Sequence, residues 1–248
     1  MAIYGGNTTI FLHHSGFAVE TPSKILVFDY WRDPAGVVSQ LEKTRKPLWF
    51  FVSHRHEDHF NPQIAAFQQK TAHYIVNEEV PLAISASEKM QRLRVYDTIV
   101  IDDVTITQYG STDEGGSFYV RTDGIQLFHA GDLNRWHWNG DTVQNNDRAK
   151  ENFIREMQHL SGLTTDFAFF PVDARLESAR EWGVSGFLQV VKVRKALIPM
   201  HYFGSVWQPS ATFVRQYGHI PLWIPKQAGD TRRWLYGEAE NKWGKGEK

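Results

Sequence analysis

Five consecutive apolar residues, Leu48 to Val52, run straight into Ser53-His54-Arg55-His56-Glu57-Asp58-His59. A short apolar run of this kind reads as a buried strand, and its end must deliver four metal-competent side chains to one place. In extended backbone His54 and His56 project to the same side, because strand side chains repeat every second residue. Asp58 and His59 follow, where a turn can aim adjacent side chains at one centre. Imidazole and carboxylate at this density suit one or two divalent ions. With 11 histidines in 248 residues, the pattern His-x-His-x-Asp-His is expected about 0.001 times in a shuffled chain. A loop of merely solvated histidines is therefore set aside.

Composition limits the chemistry further. Cysteine is absent, so disulfides, thiolate nucleophiles and Cys-held zinc are excluded, and any metal must sit on imidazole and carboxylate. The 27 Lys and Arg residues against 28 Asp and Glu leave a net charge of −1, which argues against a dedicated nucleic-acid partner. The longest apolar stretches, Leu48 to Val52 and Phe167 to Val172, fall far short of the ~20 residues that span a bilayer. Met1 to Gly6 shows no basic region leading into an apolar one, so no secretory signal is expected. These features predict a cytoplasmic protein with a small-molecule substrate and leave a homo-oligomer open. The length, with 42% hydrophobic residues, predicts a single domain over residues 1–236. The tail from Gly237 to Lys248 is expected to fray.

The first third reads as β, with runs at Thr8 to His13, Gly16 to Glu20, Lys24 to Phe28 and Lys46 to Ser53. A helix is expected after Asn61-Pro62. Further strands are predicted at His73 to Val76, Thr98 to Ile101, Val104 to Tyr109, Ser117 to Arg121 and Ile125 to His129, the last two joined by the turn Thr122-Asp123-Gly124. From Asp147, read as a cap, the pattern is helical through Phe153, Ile154, Met157 and Leu160 to Gly162. A strand at Asp166 to Val172, a helix near Val184 to Val193, a strand at Ala196 to Met200 and a helix from Pro209 to Tyr217 complete the reading. Strand blocks followed by strand–helix alternation imply stacked sheets with helices outside.

With these motifs in hand, the chain resembles the metallo-β-lactamase superfamily, whose signature is the His-x-His-x-Asp-His stretch. Asp29, closing Leu26-Val27-Phe28, is similar to the family aspartate that supports the metal loop from behind. Phe128-His129-Ala130-Gly131-Asp132 resembles the Gly-Asp motif whose aspartate bridges two metals, and Pro199-Met200-His201 resembles the final strand-end histidine. Leu12-His13-His14-Ser15-Gly16-Phe17 is similar to the branch containing ascorbate-6-phosphate lactonase and N-acyl phosphatidylethanolamine phospholipase D. The resemblance implies an α+β fold, an αββα sandwich of two mixed β-sheets flanked by helices, with the site at the sheet edges. It implies metal ligands at His54, His56, Asp58, His59, Asp132 and His201, with Asp58 also catalytic. One or two divalent ions are expected, Zn²⁺ first, with Mn²⁺ or Fe²⁺ as alternatives.

In one loop the chain departs from the family. Where members carry a histidine in a Gly-His-Thr-Pro-like stretch, this sequence has Gly110-Ser111-Thr112-Asp113. Ser111 replaces the third imidazole of the His54 and His56 site, and Asp113 is the candidate substitute. His14 reads either as a group facing the cleft or as one satisfied within its hairpin, and His129 as a structural group behind the ligands. Asp173 with Arg175 reads first as an ordinary surface ion pair, with cleft lining as the alternative, and Trp136, Trp138 and Trp207 first as core or loop cover, with pocket walls as the alternative. No Gly-x-Ser-x-Gly elbow occurs. The expected activity is metal-dependent hydrolysis of an ester, lactone, amide or phosphodiester. Two other readings are a regulatory protein that lost one metal site, which Ser111 favours, and a di-iron oxidoreductase, which His56 in place of that group's usual Glu disfavours.

Overall fold

Strand pairing in the computed structural model, which describes residues 6–235, builds two sheets face to face. The chain supplies β1 (Gly6–His13), β2 (Gly16–Glu20), β3 (Ile25–Phe28), β4 (Leu48–Val52), β5 (Thr71–Asn77) and β6 (Met90–Leu93) to one sheet. It supplies β7 (Thr98–Ile101), β8 (Val104–Tyr109), β9 (Ser117–Thr122), β10 (Ile125–His129), β11 (Thr164–Pro171) and β12 (Lys192–Met200) to the other, and β13 (Thr231–Leu235) returns to the first. The sheet orders are β13-β1-β2-β3-β4-β5-β6 and β12-β11-β10-β9-β8-β7. Both sheets are mixed: β3, β4, β5 and β6 pair in parallel in one, and β10, β11 and β12 in the other. This is the α+β sandwich that the sequence predicts.

Alternation decides which side chains meet. In β4, Phe51 faces the interior between the sheets, whereas its neighbour Phe50 turns to the outer face. All five β4 residues are buried, as parallel strands covered on both faces require. Between the sheets Phe17 meets Phe169 at 4.7 Å and Phe51 meets Phe118 edge-on at 5.6 Å. The outer face of the first sheet is closed by α1 (Val37–Leu41) and the 3₁₀ turn Pro62–Phe67. On the second sheet α2 (Val143–His159) and α3 (Trp182–Val190) take that role, with Phe187 against Phe128 and Phe170. A last helix, α4 (Ala211–Tyr217), buries Phe213 and Tyr217. Among the described residues no helix is long and apolar enough to cross a membrane.

Several elements differ from the sequence reading. Helix α2 starts at Val143 because Thr142, not Asp147, accepts the capping bond, from the Asn145 N–H at 3.2 Å. Helix α3 ends at Val190, and Val193 belongs to β12. Asn61 caps as expected, but the turn it opens is 3₁₀. The short elements β6, α1 and β13 have no counterpart in the reading. Their support is tertiary or irregular, such as β13 lying along β1 with exposed arginines, or Asp33 accepting the Val37 and Val38 N–H groups at 2.8 Å. The tail from Gly237 lies outside the described residues.

The strands point one way where it matters. Asp29, Ser53, Asp132, Asp173 and His201 all follow the C-terminal ends of parallel strands, where α/β sheets open a crevice. Since Phe169 fills the space between the sheets beneath that crevice, Phe169→Ala should cost about 3–5 kcal/mol of stability. Urea denaturation of the variant against the wild type measures it.

Candidate metal centre

A buried carboxylate organises the centre. Asp29 follows β3 with a left-handed φ of +43°. Its Oδ1 accepts the Ser53 N–H at 2.8 Å, and its Oδ2 accepts the Ser53 hydroxyl at 2.7 Å. The same Oδ2 lies 2.7 Å from His59 Nδ1. A carboxylate only accepts, so His59 Nδ1 carries a proton and Nε2 is the atom available to an ion once any proton there is displaced. The serine hydroxyl, already donating to Asp29, can only accept from His54 Nδ1 at 2.9 Å, which leaves His54 Nε2 available as well. Asp173 does the same for His201, its Oδ2 lying 3.2 Å from His201 Nδ1. The network thus turns three Nε2 atoms toward one region.

Asp132 receives them. Its Oδ1 lies 3.0 Å from His59 Nε2 and 3.2 Å from His201 Nε2, and its Oδ2 lies 3.5 Å from His54 Nε2. His54 Nε2, His59 Nε2 and Asp132 Oδ1 are buried without a hydrogen-bond partner. Acceptors held this close need a cation or a proton between them, so the residues present fit a divalent ion. Donor atoms within 4.8 Å of one another form three sets among the described residues: His14, Asp58, His59 and His201; His54, His59 and Asp132; and His56, Asp113 and Asp132. All six residues expected as ligands fall in these sets. His14 and Asp113 join them. His129 does not: its Nε2–H donates to the Ser15 carbonyl at 2.8 Å while its ring stacks on Phe28.

Loop 110–117 meets the metal loop closely. A Cβ on Gly115 would stand 2.2 Å from the Ser53 carbonyl oxygen, and one on Gly131 would stand 2.8 Å from that of Gly116; both residues have positive φ. Only glycine permits this approach. Thr112 locks the loop to the Asp132 segment, donating to the Asn134 carbonyl at 2.6 Å and accepting its N–H at 2.9 Å. Ser111 instead accepts the Asp113 N–H within its own turn, at 3.3 Å. The half of the centre holding His56 is the more open one. There Glu114, clamped by Arg55 through two bonds of 2.8 Å, lies 3.4 Å from His56 Nε2.

Electrostatics separates the groups. Burial, aided by neighbouring His59, pulls His54 down to about 4. Burial likewise takes His14 to about 4, although Asp58 opposes it. In His59 burial also works against the charge, but Asp132 and Asp29 outweigh it and hold the imidazole well above its ordinary value. Burial would raise Asp132, yet His59 and His201 keep it well below the usual carboxylate range. Burial and then Asp132 raise Asp113.

The cleft above these groups has a volume of about 410 Å³ and is lined by His56, Asp58, Asp113, Asp132 and His201 together with Trp136, Trp138, Arg175 and Phe203. Trp136 and Trp138 stack nearly parallel at 5.8 Å, and the Trp136 indole N–H donates to the Asp132 carbonyl at 3.0 Å. Arg175 chelates Asp173 and lies 3.8 Å over the Phe203 ring. The sequence reading is corrected here: Trp136, Trp138 and Arg175 wall the cleft, and Asp173 is buried behind His201. Trp207 is core, as expected. Asp173 was legible in principle, since it ends an apolar strand as Asp29 and Asp132 do. Nothing in sequence singled out Ser53, Thr112 or Glu114. A larger groove of about 760 Å³ between α2 and α3 holds none of these donors, so the smaller cleft carries the chemistry.

Two measurements test the network. Asp29→Asn keeps the shape of the site but loses the charge behind His59, and Zn²⁺ affinity should fall about 10–100-fold in competition with a chromophoric chelator. Because His59 is held above its ordinary value without metal, ion uptake at pH 7 should displace its proton. Calorimetry in two buffers of different ionisation enthalpy should give heats that differ accordingly.

Comparison with known proteins agrees with this fold. Residues 9–144, more than half of the chain, match the family model described as beta-lactamase superfamily domain. No curated protein matches. Igni18, a metallo hydrolase from the hyperthermophilic archaeon Ignicoccus hospitalis, is similar in structure with a TM-score of 0.64 and 15% identity, covering 92% of this chain and 98% of its own. The metallo-β-lactamase fold protein YhfI from Bacillus subtilis has a TM-score of 0.52 and 11% identity, with 92% and 99% covered. CmlA, a diiron β-hydroxylase from Streptomyces venezuelae, has a TM-score of 0.56 and 8% identity, and the match covers 92% of this chain but 54% of CmlA.

Proposed function

The chain belongs to the metallo-β-lactamase superfamily, and from that premise we propose that it is a metal-dependent hydrolase of a small ester, lactone, amide or phosphodiester, built as one domain over residues 1–236. The observation that carries the reading is the convergence of the His54, His59 and His201 Nε2 atoms on Asp132 at the floor of an open cleft. One ion would be held by His54, His56, Asp132 and Asp113, and the other by Asp58, His59, Asp132 and His201. Imidazole with carboxylate suits Zn²⁺, with Mn²⁺ or Fe²⁺ as alternatives. When bound, such ions supply acidified water and polarise a substrate oxygen.

The chain's own residues do the rest. Asp58 is partly exposed to the cleft, and although burial opposes its charge, His14 and His59 keep it below the ordinary carboxylate range. It is therefore an acceptor at neutral pH, able to orient a water and take up its proton. Arg175 is the sole Lys or Arg among the cleft-lining residues and favours a substrate with an anionic group, while Trp136 and Trp138 offer a flat wall for its body. The turn His13-His14-Ser15-Gly16-Phe17 supports placing the chain in the branch containing ascorbate-6-phosphate lactonase. A cytoplasmic location goes with this reading. The alternative of a protein that lost one metal site loses its main support, because Asp113 brings a carboxylate oxygen beside His56 and Asp132.

Prolonged chelation should abolish hydrolysis of ester, lactone or phosphodiester probes, and Zn²⁺ or Mn²⁺ should restore it. Asp58→Ala should lower activity far more than His129→Ala, which touches only the support behind the ligands. Activity that survives chelation would refute the proposal.

A further inference from the structure

We propose that His14 is a metal ligand, supplying a third imidazole to the ion held by Asp58, His59, Asp132 and His201. This rests on the metallo-hydrolase reading above. The imidazole absent at Ser111 is thus replaced on the other ion, from the turn between β1 and β2.

Four observations place it there. His14, His59, His201 and Asp58 each bring one ligand atom within 4.8 Å of the others, with Asp58 Oδ2 at 3.3 Å from His14 Nε2 and 4.0 Å from His201 Nε2, so small side-chain shifts would bring all four to the roughly 2.0–2.2 Å of a zinc ligand. His14 Nε2 is buried and has no hydrogen-bond partner, although Asp58 Oδ2 is only 3.3 Å away. The ring is confined, packed against His201 at 4.1 Å, Phe203 at 4.5 Å and Trp31 at 5.6 Å. The backbone is committed as well. His14 and His201 both adopt left-handed φ, +58° and +57°, and the His201 N–H donates to the His14 carbonyl at 3.1 Å. Non-glycine residues hold this conformation only when the surroundings enforce it, and here it binds the two imidazole-bearing turns together. The adjoining Ser15 carbonyl is in turn held by His129.

The consequence is an uneven pair of sites. The inner ion would have three imidazoles, from His14, His59 and His201, beside the carboxylates of Asp58 and Asp132, an imidazole-rich set that suits Zn²⁺. The outer set would join His54, grouped with Asp132, to His56, Asp113 and Asp132, and is richer in oxygen and more open to solvent at His56. Oxygen-rich sites favour Mn²⁺ or Mg²⁺ relative to imidazole-rich ones. The inner site should keep Zn²⁺ through dialysis, and the outer should exchange with Mn²⁺.

The test loads the full chain with Zn²⁺, dialyses it to about one ion per chain by elemental analysis, and counts imidazoles on the retained zinc by X-ray absorption. Three imidazoles are expected for the wild type and two for His14→Ala and His14→Gln, with Zn²⁺ retention reduced at least 10-fold in both variants. His14→Gln can still hydrogen-bond to Asp58, so full retention and an unchanged count in that variant would show a positioning role and overturn the proposal. A wild-type count of two overturns it without requiring either variant to fold. A wild type that retains no metal under any loading would instead overturn the metallo-hydrolase reading, and this inference with it.

Discussion

The centre depends on one buried carboxylate. Asp29 is fully shielded from solvent, yet it accepts three hydrogen bonds, from the Ser53 N–H, the Ser53 hydroxyl and His59. A charge in that position is tolerable only when its lone pairs are satisfied. Here they are satisfied by the very groups that aim the metal loop. The parallel register of β3 and β4, with Phe28 opposite Phe51, brings Asp29 alongside the loop, and the Asp29 N–H donates to the Phe51 carbonyl at 2.9 Å. Strand pairing, charge burial and imidazole orientation are therefore one construction.

Depth divides the site. His54, His59 and His201 are deeply buried and each has Nδ1 tied to a supporting oxygen, so their Nε2 atoms have little freedom. His56 and Asp113 lie toward solvent, where Arg55 and Glu114 form an exposed pair beside them. Exposed ion pairs contribute little rigidity. The three buried imidazoles are preorganised by the sandwich, and Asp113 by a loop whose approach depends on Gly115. The donors therefore grade from fixed imidazoles in the floor to freer groups at the mouth of the cleft.

Most of the scaffold was legible because burial and alternation leave a plain trace. The run Leu48–Val52 is apolar throughout since β4 is covered on both faces, and Ile25–Phe28 is apolar for the same reason. Where an element owes its existence to a partner far along the chain, the trace vanishes. The strand Thr231–Leu235 carries exposed threonine and arginines and forms only because β1 offers a free edge. The cleft walls were hidden for a related reason. Trp136 and Trp138 look like loop cover in sequence and Arg175 like half of a surface ion pair, and only the adjacent parallel ends of β10 and β11 bring them around one opening.

By itself the sequence determined the chemistry on offer: imidazoles and carboxylates without thiolates, spaced so that a strand end delivers several donors at once. Spacing of this kind is local, and local backbone geometry suffices to read it. It also determined the fold class, because the resemblance and the strand pattern agree. Which donors share an ion was decided elsewhere. His14 and His201 are separated by most of the chain, and Asp113 reaches His56 only through a loop pressed against the end of another sheet. Metal sites are set by distances of a few ångströms between groups remote in sequence, and those distances exist only once the two sheets have packed.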